Sequence, residues 1–171
     1  MRRTKKLTLT AILAALTVVL LLLGGLLEMV DLSVAALASF LVSFVLLELG
    51  TGYAVLLWAV SAVLSLIILP SGGALFYAAL GLYPLLKARL ERLARPLEWT
   101  LKMLSASAVL AIYVLVGKFV LLLPDEMLSG WLLPVFLALS LVTFVLYDVA
   151  LSRLTVYYGL RIRPRIERLL K

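Results

Sequence analysis

Long apolar stretches, separated by short charged clusters, run along the whole sequence. A transmembrane helix needs roughly 20 mostly apolar residues to cross a hydrocarbon core about 30 Å thick. The pattern predicts an all-α membrane protein, a six-transmembrane-helix bundle in one integral membrane domain over 1–171. We predict the spans at about 7–27, 32–49, 53–69, 74–86, 101–123 and 131–151, with a cytoplasmic tail at 152–171.

The fourth span is the shortest, with only about 13 apolar residues before Lys87, against the roughly 20 that a perpendicular helix needs. Such a span must tilt, snorkel through its basic residues or break, and Pro84 would permit a kinked or partly unwound segment. From Leu86 to Leu101, leucines recur at helical spacing between charges, which indicates a cytoplasmic amphipathic helix between spans four and five. A plain basic loop is the alternative, because Pro96 interrupts the pattern.

Composition agrees with a membrane location. Hydrophobic residues make up 65% of the chain and charged residues 15%, whereas soluble domains are about 45–50% apolar. The net charge of +7 could suggest nucleic acid as a partner. The basic residues flank apolar spans, however, where lipid headgroups and topology account for them, so we predict membrane lipid and no nucleic acid.

The positions of the basic residues predict the orientation in the membrane. They fall in the N-terminal stretch, between spans four and five, and after span six, which are all on one side if there are six spans. The opposite loops carry Glu28, Asp31, Asp125 and Glu126 and no Lys or Arg. By the positive-inside rule, both termini lie in the cytoplasm, an N-in/C-in arrangement.

The chain contains no cysteine and no histidine. Disulfides, thiol chemistry, imidazole bases and the commonest zinc ligands are therefore excluded. No paired-aspartate motif and no nucleophile with an adjacent base is evident. We predict that the protein is not an enzyme and has no catalytic residues, metal site or cofactor.

Apart from Lys102, which belongs with the basic loop before span five, three charged residues lie within the predicted spans, where each costs at least a few kcal/mol: Glu48, Lys118 and Asp148. Lys118 lies roughly 9 Å below the outer end of span five at 1.5 Å rise per residue, so it is a candidate contact for an anionic or carbonyl-bearing ligand. Alternatively, Lys118 snorkels to the outer headgroups or pairs with Glu28 or Asp31. Glu48 and Asp148 lie near the inner face, where structural ion pairs are the favoured role.

Alanines in the first span form an A-x-x-x-A pattern from Ala11 to Ala15, with Ala14 beside it. Small residues four apart clear a flat strip that another helix backbone can approach closely, which is a principal source of helix association in lipid. In a chain this rich in alanine, packing inside the protein is the default interpretation.

Three short segments together resemble a known family. They are the run Leu7–Ala15 after a basic N-terminus, Asp31-Leu32-Ser33 opening span two, and Leu49-Gly50-Thr51-Gly52 before span three. The combination resembles the S components of energy-coupling factor (ECF) transporters, six-helix N-in proteins that capture vitamins or other micronutrients from outside. The resemblance covers roughly residues 2 to 70 and is only topological beyond them.

The resemblance implies partners and sites. The strip of Ala11 and Ala15, with Ala14 beside it, would dock onto the transmembrane T subunit, which two ATPase subunits drive. The small-molecule solute would bind the outer loops and spans four to six, through Ser71, Tyr77, Lys118 and Trp131. The location implied is the plasma membrane of a prokaryote.

Two alternatives stand beside this interpretation. Tyr77 and Trp131 are at a depth where aromatic residues usually anchor the membrane interface rather than form a ligand floor. A non-transport scaffold like the rod-shape-determining protein MreD has a similar size and helix count. The low polarity of the outer half favours such a scaffold, whereas the alanine strip and the Asp31 and Gly50 motifs favour the S component.

Overall fold

Helices account for nearly all of the described chain. The computed structural model describes residues 3–27, 30–68, 72–91, 95–119 and 132–162, with side chains except at 95–96, 112–119, 132–133, 136 and 162. We number the six helices α1 Arg3–Leu27, α2 Asp31–Glu48, α3 Thr51–Ile68, α4 Gly72–Leu90, α5 Arg95–Phe119 and α6 Leu132–Tyr157, the last followed by a π-helical turn Tyr158–Ile162.

Among the described residues, four helical segments are long and apolar enough to cross a membrane. They are α1, α2, α3 and the segment Leu137–Arg161, which contains most of α6 and most of the π-helical turn. The prediction of an all-α protein is therefore confirmed, and the chain has the character of a multi-pass membrane protein.

Contacts divide the chain into two compact units, Met1–Arg92 and Leu93–Lys171. The first unit contains α1 to α4, and the second contains α5, α6 and the π-helical turn. The prediction of one membrane domain over 1–171 stays a prediction.

The first unit is a four-helix arrangement whose chain direction reverses at each short connection. The Nζ of Lys6 lies 5.8 Å from the ring centroid of Tyr53, so the starts of α1 and α3 meet. The backbone N–H of Gly73 donates to Oδ2 of Asp31 at 2.9 Å, so the starts of α2 and α4 also meet. Basic residues of α1 and of the end of α4 therefore lie at one end of this unit, and Asp31 lies at the other.

Small side chains fill the centre of the first unit. Fully buried positions include Ala35, Ala38 and Ser39 on α2 and Ala54 and Ser61 on α3. Helix backbones can approach closely where side chains are small, and this contact replaces the hydrophobic driving force that lipid does not supply. The sequence favours these contacts because its buried positions recur at helical spacing.

Gly50 ends α2 with a left-handed backbone. Its φ is 99°, a conformation that residues with a Cβ rarely adopt, and its N–H reaches back to the carbonyl of Val45 at 3.2 Å. The Leu49–Gly52 motif therefore has a local cause, the turn between α2 and α3.

Two predictions are wrong in the region after Pro84: the end of span four and the separate helix that follows it. Helix α4 continues unbroken through Pro84 to Leu90, four residues beyond the predicted end of span four. The predicted separate helix from Leu86 to Leu101 is wrong, because its first residues continue α4 and its last residues belong to α5. Pro96 is compatible with the start of α5, because an N–H in the first helical turn has no carbonyl partner to lose.

The last helix is also longer than predicted. Helix α6 ends at Tyr157 and the π-helical turn carries the helix to Ile162, so the first part of the predicted tail is helical. The end of the predicted fifth span, 120–123, and the end of the tail, 163–171, lie outside the described residues.

Candidate functional site

The predicted docking strip divides between two faces of α1. Ala11 and Ala15 are exposed, whereas Ala14 is only 6% exposed and belongs to the core of the first unit. Residues are about 100° apart around an α-helix, so Ala11 and Ala15 lie some 40° from each other and Ala14 about 60° or more from both. The structure therefore leaves Ala11 and Ala15 available to a partner and uses Ala14 for internal packing.

Large aliphatic side chains continue the outward face of α1 beside the two alanines. Ile12, Leu16 and Val19 are all exposed. The exposed face of α1 thus has small side chains at Ala11 and Ala15 beside these larger ones. A partner helix can pack closely against such a surface.

Tyr77 of α4 is fully buried, and its hydroxyl is engaged. The hydroxyl oxygen lies 2.7 Å from Oγ of Ser61. Ser61 donates its own proton to the carbonyl of Leu57 at 2.7 Å, so the Tyr77 hydroxyl is the donor of the pair. Its role in this structure is to join α4 to α3.

Trp58 and Gly81 complete this contact between α3 and α4. The indole N–H of Trp58 donates to the carbonyl of Ala78 at 3.0 Å. A Cβ added at Gly81 would lie 2.8 Å from Cδ1 of Trp58 and 3.0 Å from Cε2 of Tyr77. The two aromatic rings therefore occupy the space that a side chain at Gly81 would need.

The other predicted ligand residues are not brought together by the described structure. Ser71 and Trp131 lie outside the described residues. Lys118 is in the last turn of α5, but its side chain is outside the description. The ligand-binding role of Ser71, Tyr77, Lys118 and Trp131 stays a prediction.

Asp31 has a contact that the sequence did not predict. Its carboxylate lies over the start of α4, where the positive end of a helix dipole favours an anion, and accepts the Gly73 N–H described above. Its second oxygen, Oδ1, is buried and has no hydrogen-bond partner among the described residues. The signal in the sequence was an aspartate at the start of one helix and two successive glycines, Gly72 and Gly73, at the start of another.

A buried charge cluster holds the second unit together. Lys102 of α5 is 3% exposed, and its Nζ lies 2.6 Å from Oε1 of Glu98 and 3.3 Å from Oδ2 of Asp148 on α6. The prediction that Asp148 forms a structural ion pair is confirmed. The cluster therefore joins the first half of α5 to the second half of α6.

The fold defines a class: an α-helical chain in whose described part four helical segments are long and apolar enough to span a membrane. No protein family, curated protein or solved structure matches the chain. Within the described ranges, no group of three or more His, Cys, Asp or Glu residues could hold a metal ion.

Proposed function

We propose that the chain is the S component of an ECF-type importer. It would capture a vitamin or another small micronutrient from outside, dock onto a T subunit through α1, and release the solute inside when two ATPase subunits drive the complex. One observation carries the proposal: Ala11 and Ala15 lie on the exposed face of α1 while Ala14 is buried. An alanine strip needed only for internal packing would have no reason to face outward.

The proposed topology has six spans with both termini in the cytoplasm of a prokaryotic cell, in the plasma membrane. Helices α4 and α5 would be the fourth and fifth spans. With 19 residues, α4 is about 28 Å long at 1.5 Å per residue, enough to cross the hydrocarbon core with its basic end at the interface. Lys87 and Arg89 lie in its last turn, where the cytoplasmic headgroups and the helix dipole both favour positive charge.

In the proposed mechanism the chain hydrolyses nothing itself. The solute would be held by Ser71, Lys118 and Trp131, with Tyr77 joining them only if its hydroxyl leaves Ser61. Ligand contact at Tyr77 would therefore loosen the α3–α4 contact, which couples solute binding to a change within the first unit.

A scaffold of the MreD type is the second candidate function. The observation in its favour is that buried hydroxyls of the first unit are used internally: Thr17 bonds to the carbonyl of Leu13, Ser39 to that of Ala36 and Ser65 to that of Ala62. Such groups offer little to a polar solute, whereas a scaffold needs only exposed helix faces and basic ends.

The proposal is tested by co-purification of the tagged full chain with its ATPase-containing partners. The double variant A11W/A15W should lower the recovered T and ATPase subunits at least tenfold, because two indoles prevent close backbone approach. The matched control is V63W, since Val63 is 55% exposed but lies on α3, a different helix from the alanine strip.

Recovery should be unchanged in V63W, and all variants should elute as folded protein of the same size. Equal recovery of the ATPase subunits with A11W/A15W and wild type would remove the docking role from this strip. Recovery of cell-wall morphogenesis proteins in place of ATPases would favour the scaffold.

A further inference from the structure

An open groove of about 430 Å³ lies along the end of α6 and the π-helical turn. Six residues line it: Ser152, Arg153, Val156, Tyr157, Leu160 and Arg161. Most of these side chains are exposed, and no residue of this set is acidic. The groove thus combines basic ends with an apolar floor.

The two arginines of the groove have no carboxylate partner in the described part of the chain. Another basic side chain of the same unit is neutralised: Lys102 lies against Glu98 and Asp148, as described above. By contrast, the Cζ of Arg161 lies 5.9 Å from the ring centroid of Tyr157, and neither Arg153 nor Arg161 makes an ion pair with a described residue. Two guanidinium groups therefore remain available to an anion.

The π-helical turn brings the two arginines closer to one face. In a regular α-helix, residues eight apart are offset by about 80°, since each residue turns about 100°. A turn closed by i→i+5 hydrogen bonds rotates less per residue, so the segment Tyr158–Ile162 reduces this offset. Arg153 and Arg161 therefore line the same groove, with Tyr157 between them in sequence.

In the proposed six-span topology, in which the sixth span is about 131–151, the groove lies at the depth of the cytoplasmic headgroups. A span of about 20 residues that begins at Leu132 ends near Leu151, and the groove starts at the next residue. Val156 and Leu160 are exposed in this zone, where a soluble surface would carry polar side chains. This placement requires that α6 spans the membrane, and it holds for either proposed function.

We propose that this groove binds an anionic phospholipid. The phosphodiester would lie between the guanidinium groups of Arg153 and Arg161, which present forked donors to phosphate oxygens. The first carbons of an acyl chain would cover Val156 and Leu160. A soluble phosphate compound would use the arginines but not this apolar floor, so the groove fits a lipid better.

Lipid titration by native mass spectrometry of the full chain in neutral detergent tests the proposal. The variant R153Q/R161Q should bind phosphatidylglycerol at least about 30-fold more weakly than wild type, because it removes two charge-assisted contacts between guanidinium groups and the phosphate. Binding of phosphatidylcholine should not change. The matched control R3Q/K5Q removes the same charge from exposed positions on α1 and should keep phosphatidylglycerol affinity within about twofold, because neither side chain lines the groove.

A second variant and a soluble probe identify the source of the phosphate. L160Q retains both arginines, so it should weaken phosphatidylglycerol binding severalfold and leave binding of inorganic pyrophosphate unchanged. Unchanged phosphatidylglycerol affinity in L160Q, or pyrophosphate that competes at equal concentration, would overturn the lipid assignment. An equal loss of phosphatidylglycerol affinity in R3Q/K5Q and R153Q/R161Q would show that binding depends on general surface charge. This result would overturn the assignment of a lipid site to the groove.

Discussion

Asp31 and Gly73 illustrate how single residues determine the packing of the first unit. The carboxylate of Asp31 caps the start of α4, and it approaches the backbone so closely because position 73 has no side chain. A Cβ there would lie 2.7 Å from Oδ1 and 3.0 Å from Cγ of Asp31. Glycine at this position is thus a requirement of close approach.

Replacing Gly73 by alanine should destabilise the protein. The added methyl group forces the carboxylate away and weakens its hydrogen bond to the backbone, at a cost of about 1–3 kcal/mol. The apparent melting temperature in detergent should fall by several degrees. The control is Gly52→Ala on α3, where an added Cβ meets nothing within 4 Å, and it should leave the melting temperature unchanged or slightly higher.

An unchanged melting temperature for Gly73→Ala would show that the Asp31 contact contributes nothing to stability. Asp31→Asn offers an independent check, because it keeps the shape of the side chain and removes the charge that the helix dipole favours.

Sequence pattern alone could not assign individual roles at this scale. Helical spacing placed Ala11, Ala14 and Ala15 together, but only packing decides which of them faces inward. Tyr77 appeared as an interface or ligand residue, because the pattern does not reveal that Ser61 of another helix lies opposite its hydroxyl. Such pairings depend on how neighbouring helices are rotated and shifted, which short motifs do not specify.

At the scale of helices, apolarity predicted their existence well and their ends less well. The starts of α2 and α6 fall within one residue of the predicted bounds. The predicted fourth span ends before the first charged residue, Lys87, yet α4 continues past it. Its ammonium lies 3.4 Å from Oε1 of Glu91 and 5.9 Å from the ring centroid of Tyr83, so the charge is compensated while the stem packs on protein.

The direction of each helix can be tested with single cysteines, since the chain has none of its own. Cysteine in place of Val30 should react with a membrane-impermeant maleimide on intact spheroplasts. Cysteine in place of Thr4, Glu91 or Gly159 should react only after permeabilisation, because six spans put these positions in the cytoplasm. Labelling of the Glu91 position on intact spheroplasts would remove α4 from the spans, and labelling of Gly159 there would require an odd number of spans.

At the scale of the whole molecule, the two units carry different features. The first unit, Met1–Arg92, holds the exposed alanine strip of α1 and the tightly packed centre. The second, Leu93–Lys171, holds the buried ion cluster and the arginine-lined groove. We therefore propose that the first unit docks onto the partner and that the second unit contacts lipid.

Two of the three segments behind the proposed family have local structural causes. Gly50 makes a turn, and Asp31 caps a neighbouring helix. A membrane protein of another family could need both. The exposed pair Ala11 and Ala15 has no such internal role, so the proposed function depends mainly on that pair.

Native mass spectrometry of the tagged wild-type chain, purified from its own host in mild detergent, tests the central claim most directly. The account predicts one assembly that contains the chain, a T subunit and two ATPase subunits, together with a small molecule released on denaturation of the chain. A chain that carries no small molecule and associates with cell-wall morphogenesis proteins, without any ATPase, would contradict it.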